Sequence, residues 1–316
     1  MSFTAVITDH GFPNVDAEAR IITAAGGAVS VAQCRSAAEV ASVAASADAL
    51  LVQWAPIDAV AMQALPRCRV IVRYGIGTDN IDLTAARERG IAVCNVPDYG
   101  IDEVADHAVS MALALGRQLP QTDARTRAGT WSMLPIQPMP AYRHMTFAVA
   151  GLGRIGRAVL TRARGFGFRL AAYDPHLPDA AFASDVSRLD REQLFRQADI
   201  LSLHLPLTPE SRHLVDARSL ALMKPTAHLI NTARGALVDT PALAAALRAG
   251  TIASAGLDVY EQEPLPMDHP LRQCANLLLT SHMAWYSEAS GPTLQRLAAE
   301  ELVRGVTGQP LRNRIA

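Results

Sequence analysis

Gly151-Leu152-Gly153-Arg154-Ile155-Gly156 stands between an apolar strand-like run, Thr146-Phe147-Ala148-Val149-Ala150, and a helical pattern over Arg157–Ala163. A GxGxxG hexapeptide alone is weak evidence; its strand–turn–helix setting gives it meaning. The glycines permit a tight turn and a close approach of backbone to pyrophosphate, and the helix start presents free N–H groups to the anion. Gly151, Gly153, Arg154, Ile155 and Gly156 are therefore assigned to a dinucleotide. The next apolar run, Leu170–Tyr173, ends in Asp174, eighteen residues beyond Gly156. A carboxylate there accepts hydrogen bonds from both ribose hydroxyls and repels a 2′-phosphate, so the residues predict NAD rather than NADP. A mere glycine turn with a surface Asp is the weaker account, because strand, turn, helix and acid fall in the order the mechanism demands.

Working outward, short apolar runs alternate with helical patterns almost throughout. Strands are expected at Ala5–Thr8, Ala49–Val52, Val70–Val72, Ile200–His204, His228–Asn231 and Leu277–Thr280, and helices at Ala37–Ala45, Asp102–Arg117, Glu192–Arg196 and Ala242–Ala249. That alternation predicts doubly wound α/β architecture with parallel sheets and crossover helices. Two sheet systems are expected, the first ending near Cys94-Asn95-Val96-Pro97. Between Trp131 and Tyr142, Pro135, Pro138 and Pro140 stop regular pairing and mark a connection over the surface.

At 316 residues the chain is long enough for two domains, and half of it is apolar, as burial of sizeable cores requires. A net charge of -1, with 28 scattered arginines and Lys224 as sole lysine, gives no electrostatic case for nucleic acid or an anionic membrane. Cys34, Cys68, Cys94 and Cys274 match no metal-ligand spacing, so no metal is expected and they read as reduced cytosolic thiols. There is no signal-peptide pattern and no run of about twenty apolar residues, so a cytoplasmic protein outside the membrane is expected.

Downstream of the fingerprint stand His204-Leu205-Pro206-Leu207-Thr208, Asn231-Thr232-Ala233-Arg234-Gly235, Gly256-Leu257-Asp258-Val259-Tyr260, Glu263-Pro264 and Ser281-His282; upstream stands Gly75-Ile76-Gly77-Thr78-Asp79-Asn80-Ile81-Asp82. In order and spacing these resemble the D-isomer-specific 2-hydroxyacid dehydrogenase family over nearly the whole chain. Val96-Pro97-Asp98-Tyr99 and Ala284-Trp285-Tyr286-Ser287-Glu288 look most like the branch that contains the C-terminal-binding proteins, dehydrogenase-like corepressors. The resemblance implies a Rossmann-type NAD-binding domain (99–290) inserted in a flavodoxin-like substrate domain (1–98 and 291–316). A final helix, Thr293–Val306, would return to the substrate domain, and the active site would lie between the two. It also implies a homodimer, formed through the Asp102–Arg117 helix and the proline-rich connection. With Ala316 about thirty residues past His282, no regulatory domain is expected.

Reducing a 2-oxo acid needs a cation for the carboxylate and a proton donor for the carbonyl oxygen. Arg234 suits the first task, because its planar fork binds carboxylate bidentately at any working pH. His282 suits the second. A single loop histidine is more often structural, but Glu263 matches the family's acidic partner, and a nearby carboxylate stabilises the imidazolium. Glu261 is the rival acid; Glu263 is preferred for its Glu-Pro pattern and its place twenty-nine residues after Arg234. By the same resemblance Pro206, Thr208, Thr232 and Ala233 border the cofactor, and Asp258 holds the nicotinamide carboxamide or else caps the local turn. His204 is read as structural or adenine-side. Ile76 and Gly77 offer backbone groups to the substrate carboxylate, Arg73 faces the substrate or is an ordinary strand-end cation, and Trp285 and Trp54 wall the pocket or are core. The resulting expectation is an NAD-dependent 2-hydroxyacid dehydrogenase. The alternative is an NAD-responsive corepressor-like protein with vestigial chemistry.

Overall fold

The computed structural model describes residues 2–132 and 138–316. Pro135 lies outside them. The chain divides into two compact units, Met1–Gly100 with Tyr286–Ala316, and Ile101–Trp285. The boundaries therefore fall two to five residues from those expected at 98/99 and 290/291. At the second boundary Trp285 donates its indole N–H to the His282 carbonyl at 3.0 Å, which ties it to the loop before it.

The first unit holds strands β1 (Phe3–Ile7), β2 (Gly27–Val31), β3 (Ala49–Val52), β4 (Val70–Arg73) and β5 (Ala92–Cys94), in the order β2-β1-β3-β4-β5. All its strand pairs are parallel. Helices α1 (Asp16–Ala24), α2 (Ala37–Val43), α3 (Ala59–Gln63) and α4 (Leu83–Glu88) connect them. The central strands are continuous apolar runs because both of their faces are covered, whereas the edge strand β2 is mostly solvent-facing. The last helix of the chain, α11 (Ser290–Thr307), packs on α1, β3 and β4. Gln295 of that helix and Tyr74 both donate to the buried Glu18 carboxylate, at 3.0 and 2.9 Å, so this buried acid is satisfied.

The second unit holds β6 (Thr146–Ala150), β7 (Arg169–Tyr173), β8 (Val186–Arg188), β9 (Ile200–Leu203), β10 (His228–Asn231), β11 (Ser254–Leu257) and β12 (Leu277–Leu279). Their order is β12-β11-β10-β9-β6-β7-β8, again parallel throughout. Its helices are α5 (Ile101–Gly116), α6 (Leu119–Arg127), α7 (Arg154–Gly165), α8 (Arg191–Gln197), α9 (Ala217–Leu222) and α10 (Thr240–Ala249). Strand β6 shows how the sheet is sandwiched. Phe147 and Val149 join the apolar cluster built with α5 and α7, while Ala148 and Ala150 join the one built with α8, α9 and α10. The order reverses between β6 and β9, the switch point of a doubly wound sheet, where such folds bind ligands at the strands' carboxyl ends. Among the described residues no helix is long and apolar enough to cross a membrane.

Candidate active site

The loop after β6 is built on glycine for two different reasons. Gly151 has φ +96°, and a Cβ there would lie 2.7 Å from the backbone of His204, so the turns after β6 and β9 meet back to back. A Cβ on Gly156 would strike the Gly151 carbonyl at 2.0 Å. At Gly153, by contrast, a Cβ meets nothing within 4 Å, and this residue caps α7 with no side-chain hydrogen bond to the helix start. Open space above uncapped helix N–H groups is what a pyrophosphate needs. Arg154 is exposed there, while Ile155 packs on the core beneath.

Other groups at the same sheet end suit a dinucleotide. Asp174 accepts from Leu152 N–H of the glycine loop at 2.9 Å and from His176 N–H at 3.1 Å. Each carboxylate oxygen so engaged retains a lone pair, which matches the two hydroxyls of a ribose. The Thr232 hydroxyl is buried with no hydrogen-bond partner among the described residues, an orphan of the kind a ligand satisfies. Pro206 and Thr208 lie in a turn organised by Ser211, whose hydroxyl donates to the Pro206 carbonyl at 2.7 Å and accepts from Thr208 N–H at 2.8 Å. His204 Nε2 lies 2.9 Å from Ser202 Oγ, and burial pushes its imidazole down to about 3, so it stays neutral at working pH and is no proton donor. Replacing Asp174 with Ala is expected to weaken NADH by roughly ten- to a hundredfold, about 1.5–3 kcal/mol for the lost charged hydrogen bonds, and to narrow the gap to NADPH. Equal use of both cofactors by the unchanged protein would contradict the placement.

The candidate pair Glu263 and His282 lies beyond the ends of β11 and β12. His282 Nδ1 lies 2.6 Å from Glu263 Oε2, with the two side chains 36% and 34% exposed, so the pair is open to a reactant rather than sealed in the core. Since a carboxylate accepts, Nδ1 carries the proton shared with Glu263, which leaves Nε2 free of that bond. Burial raises the Glu263 pKa. The hydrogen bond and charge of His282, the Tyr260 N–H at 2.9 Å and the Arg234 charge outweigh it, and the carboxyl sits below its ordinary range. Glu261 is occupied elsewhere: it accepts from His213 Nε2 at 2.7 Å and from the Thr240 hydroxyl.

Arg234 follows β10 in a turn where Asn231 accepts from Ala233 N–H at 3.0 Å and donates to the Arg234 carbonyl at 2.9 Å. Gly235 lets this turn press against the Tyr260–Glu261 backbone, since a Cβ there would lie 1.9 Å from the Tyr260 carbonyl carbon. The arginine is thereby brought near enough to Glu263 for its charge to act on the carboxyl.

Asp258 is fully buried. Its carboxylate accepts from the Thr280 hydroxyl at 2.6 Å and from Met283 and Ala284 N–H at 2.9 Å each, and its carbonyl accepts from His282 N–H at 2.8 Å. Asp258 thereby holds the loop that carries His282. Tyr260 braces the same loop. Its hydroxyl donates to the Thr280 carbonyl at 2.6 Å, and its N–H to Glu263.

Four of the remaining candidates lie on the first unit. Arg73 Nη1 donates to the Tyr74 carbonyl at 2.5 Å, Ile76 accepts through its carbonyl from Asn95 at 2.6 Å, Gly77 is half-buried, and Trp54 is 53% exposed. Trp285 is half-buried in the second.

Comparison with known proteins identifies the family. Residues 109–284 match the model described as D-isomer specific 2-hydroxyacid dehydrogenase, NAD binding domain. A glyoxylate reductase of Korarchaeum cryptofilum (strain OPF8) is 39% identical over 259 residues, 80% of this chain and 78% of that one. A D-3-phosphoglycerate dehydrogenase of Methanocaldococcus jannaschii is 39% identical over 78% of this chain, which spans only 47% of that longer protein. The D-lactate dehydrogenase of Aquifex aeolicus, solved with NAD and lactic acid, superposes with a TM-score of 0.88 at 25% identity, covering 98% of each chain. These relatives bear the names of enzymes, which disfavours the corepressor-like alternative, and they do not single out the corepressor branch.

Proposed function

The chain belongs to the D-isomer specific 2-hydroxyacid dehydrogenase family and is an NAD-dependent oxidoreductase of 2-hydroxy acids, and we propose that Arg234, Glu263 and His282 carry its reaction. The observation that carries this assignment is the 2.6 Å contact between His282 Nδ1 and Glu263 Oε2. NADH, when bound, supplies the hydride that reduces C2. Arg234 pairs with the substrate carboxylate and fixes its orientation. His282 Nε2 gives a proton to the carbonyl oxygen, and Glu263 holds the ring through Nδ1 and offsets its positive charge. In the reverse direction neutral His282 takes the proton from the hydroxyl. Following NADH absorbance across a panel of 2-oxo acids tests the reading; no turnover of any of them would defeat it.

We further propose a cytoplasmic homodimer that binds no nucleic acid. Four buried, unbonded cysteines support a reducing compartment, and the near-zero net charge supports the last point. Sedimentation at micromolar concentration tests the dimer. For substrate class we propose uncharged aliphatic or thioether 2-oxo acids over phosphorylated ones, with Trp285 supplying apolar surface. Because its indole also donates to the His282 carbonyl, Trp285→Ala alone would confound pocket with loop. Trp285→Phe keeps an aromatic surface and loses the donor. It is expected to lower kcat severalfold with substrate ranking intact, while Trp285→Ala also flattens the ranking, by about 0.8 kcal/mol per methylene no longer buried. Unchanged ranking in the Ala variant would remove Trp285 from the pocket.

A further inference from the structure

His282 has φ +54°, a left-handed backbone that costs a non-glycine residue of order 1 kcal/mol and persists only where its surroundings enforce it. The enforcing residue is Asp258. It grips three successive N–H groups of the loop, those of His282, Met283 and Ala284. Both of its carboxylate oxygens accept backbone N–H groups, so the Thr280 hydroxyl, 2.6 Å from Oδ1, donates to it. A hydroxyl has one proton. With that proton committed, Thr280 Oγ1 must accept from its other neighbour, His107 Nε2, at 3.0 Å. The direction of the chain is therefore fixed: His107 Nε2–H to Thr280 Oγ1, and Thr280 Oγ1–H to Asp258 Oδ1. His107 is half-buried on α5, between the buried Ala105 and Ala108, 173 residues from Thr280 in sequence. It is also the basic side chain beside Asp258, with Nε2 3.9 Å from Oδ1.

We propose that His107 and Thr280 are positioning residues for His282, acting through Asp258 to hold the proton-donating loop in its left-handed conformation. The proposal rests on His282 being the acid–base group. An ångström of misplacement at a reacting group costs up to about a hundredfold in rate, so small changes in this chain are visible in kcat. His107→Phe keeps ring volume and removes the donor; it is expected to lower kcat by about ten- to a hundredfold, with KM for NADH and for the 2-oxo acid within about twofold of the parent. His107→Gln places an N–H donor near the Nε2 position and is expected to recover most of that loss. Thr280→Val should match His107→Phe, and the double variant should lose little more than the worse single one, because either change breaks the same chain. A kcat near that of the parent in both His107→Phe and Thr280→Val would overturn the proposal. So would a Gln variant no better than Phe, losses that multiply in the double variant, or an effect confined to KM. His282→Ala, measured alongside, separates the two levels. If it leaves turnover intact, the acid–base reading itself has failed. If it cuts turnover severely while His107→Phe and Thr280→Val keep a kcat near that of the parent, only the positioning chain has.

Discussion

His282→Ala is expected to lower turnover by roughly two to four orders of magnitude, the usual worth of a positioned general acid, while leaving NADH binding intact. The groups proposed to face the dinucleotide lie on the loops after β6, β7, β9 and β10, whereas His282 follows β12, so binding and proton transfer separate in the measurement. The pH dependence carries a sign. Reduction of a 2-oxo acid by NADH consumes a proton, so its rate falls as pH rises; oxidation releases one and gains over the same range. On the acid side the Glu263 carboxyl, held below its usual range, keeps its charge until pH drops beneath the ordinary carboxylate region. The contact with His282 therefore survives mild acid and weakens only as Glu263 is protonated. Glu263→Gln keeps the shape and an acceptor but not the charge, and should lose less than His282→Ala. Parallel rather than opposite pH trends in the two directions, under conditions limited by chemistry, would count against His282 as the acid–base group.

Much of the cofactor half was legible because its physics is local. A strand with both faces buried, a loop of three glycines, an amphipathic helix and an acid at the next strand end occupy one short stretch, and α7 and β7 formed within a few residues of the expected bounds. What lacks a local signature was not readable. Helix α6 buries none of its residues, so Leu119–Arg127 offers no apolar periodicity to detect. Strands β2 and β8 lie at sheet edges, where solvent-facing residues break the apolar run. In the site, choosing Glu263 over Glu261 needed the resemblance, because two acids of one type, two residues apart, differ only in what they touch. Thr280 and Tyr260 sat within or beside recognised motifs, but their contacts depend on rotamers. His107 meets Thr280 across a tertiary contact between α5 and the end of β12, which no spacing rule reports.

Arg234→Leu is expected to cost roughly thirtyfold to several thousandfold in kcat/KM, corresponding to about 2–5 kcal/mol for removing one partner of a desolvated, hydrogen-bonded charge pair. Arg234→Lys should recover only part of it, since an ammonium is a point charge without the planar fork that meets both carboxylate oxygens. The variant has a second consequence that a purely substrate-binding residue would lack. The Arg234 charge is one of the influences that hold the Glu263 carboxyl low, against the burial that pushes it up. Removing that charge favours the protonated form, so the acid limb of the pH profile should move toward neutrality in Arg234→Leu and stay near its original place in Arg234→Lys. A neutral 2-oxo amide lacks the carboxylate that Arg234 is proposed to bind, so it should discriminate little between the parent and either variant. A large loss with the acid limit unmoved in the Leu variant would show that Arg234 serves the substrate alone. Equal loss on the amide would show instead that the arginine supports the Tyr260–Glu263 turn, against which Gly235 packs, rather than the carboxylate of the substrate.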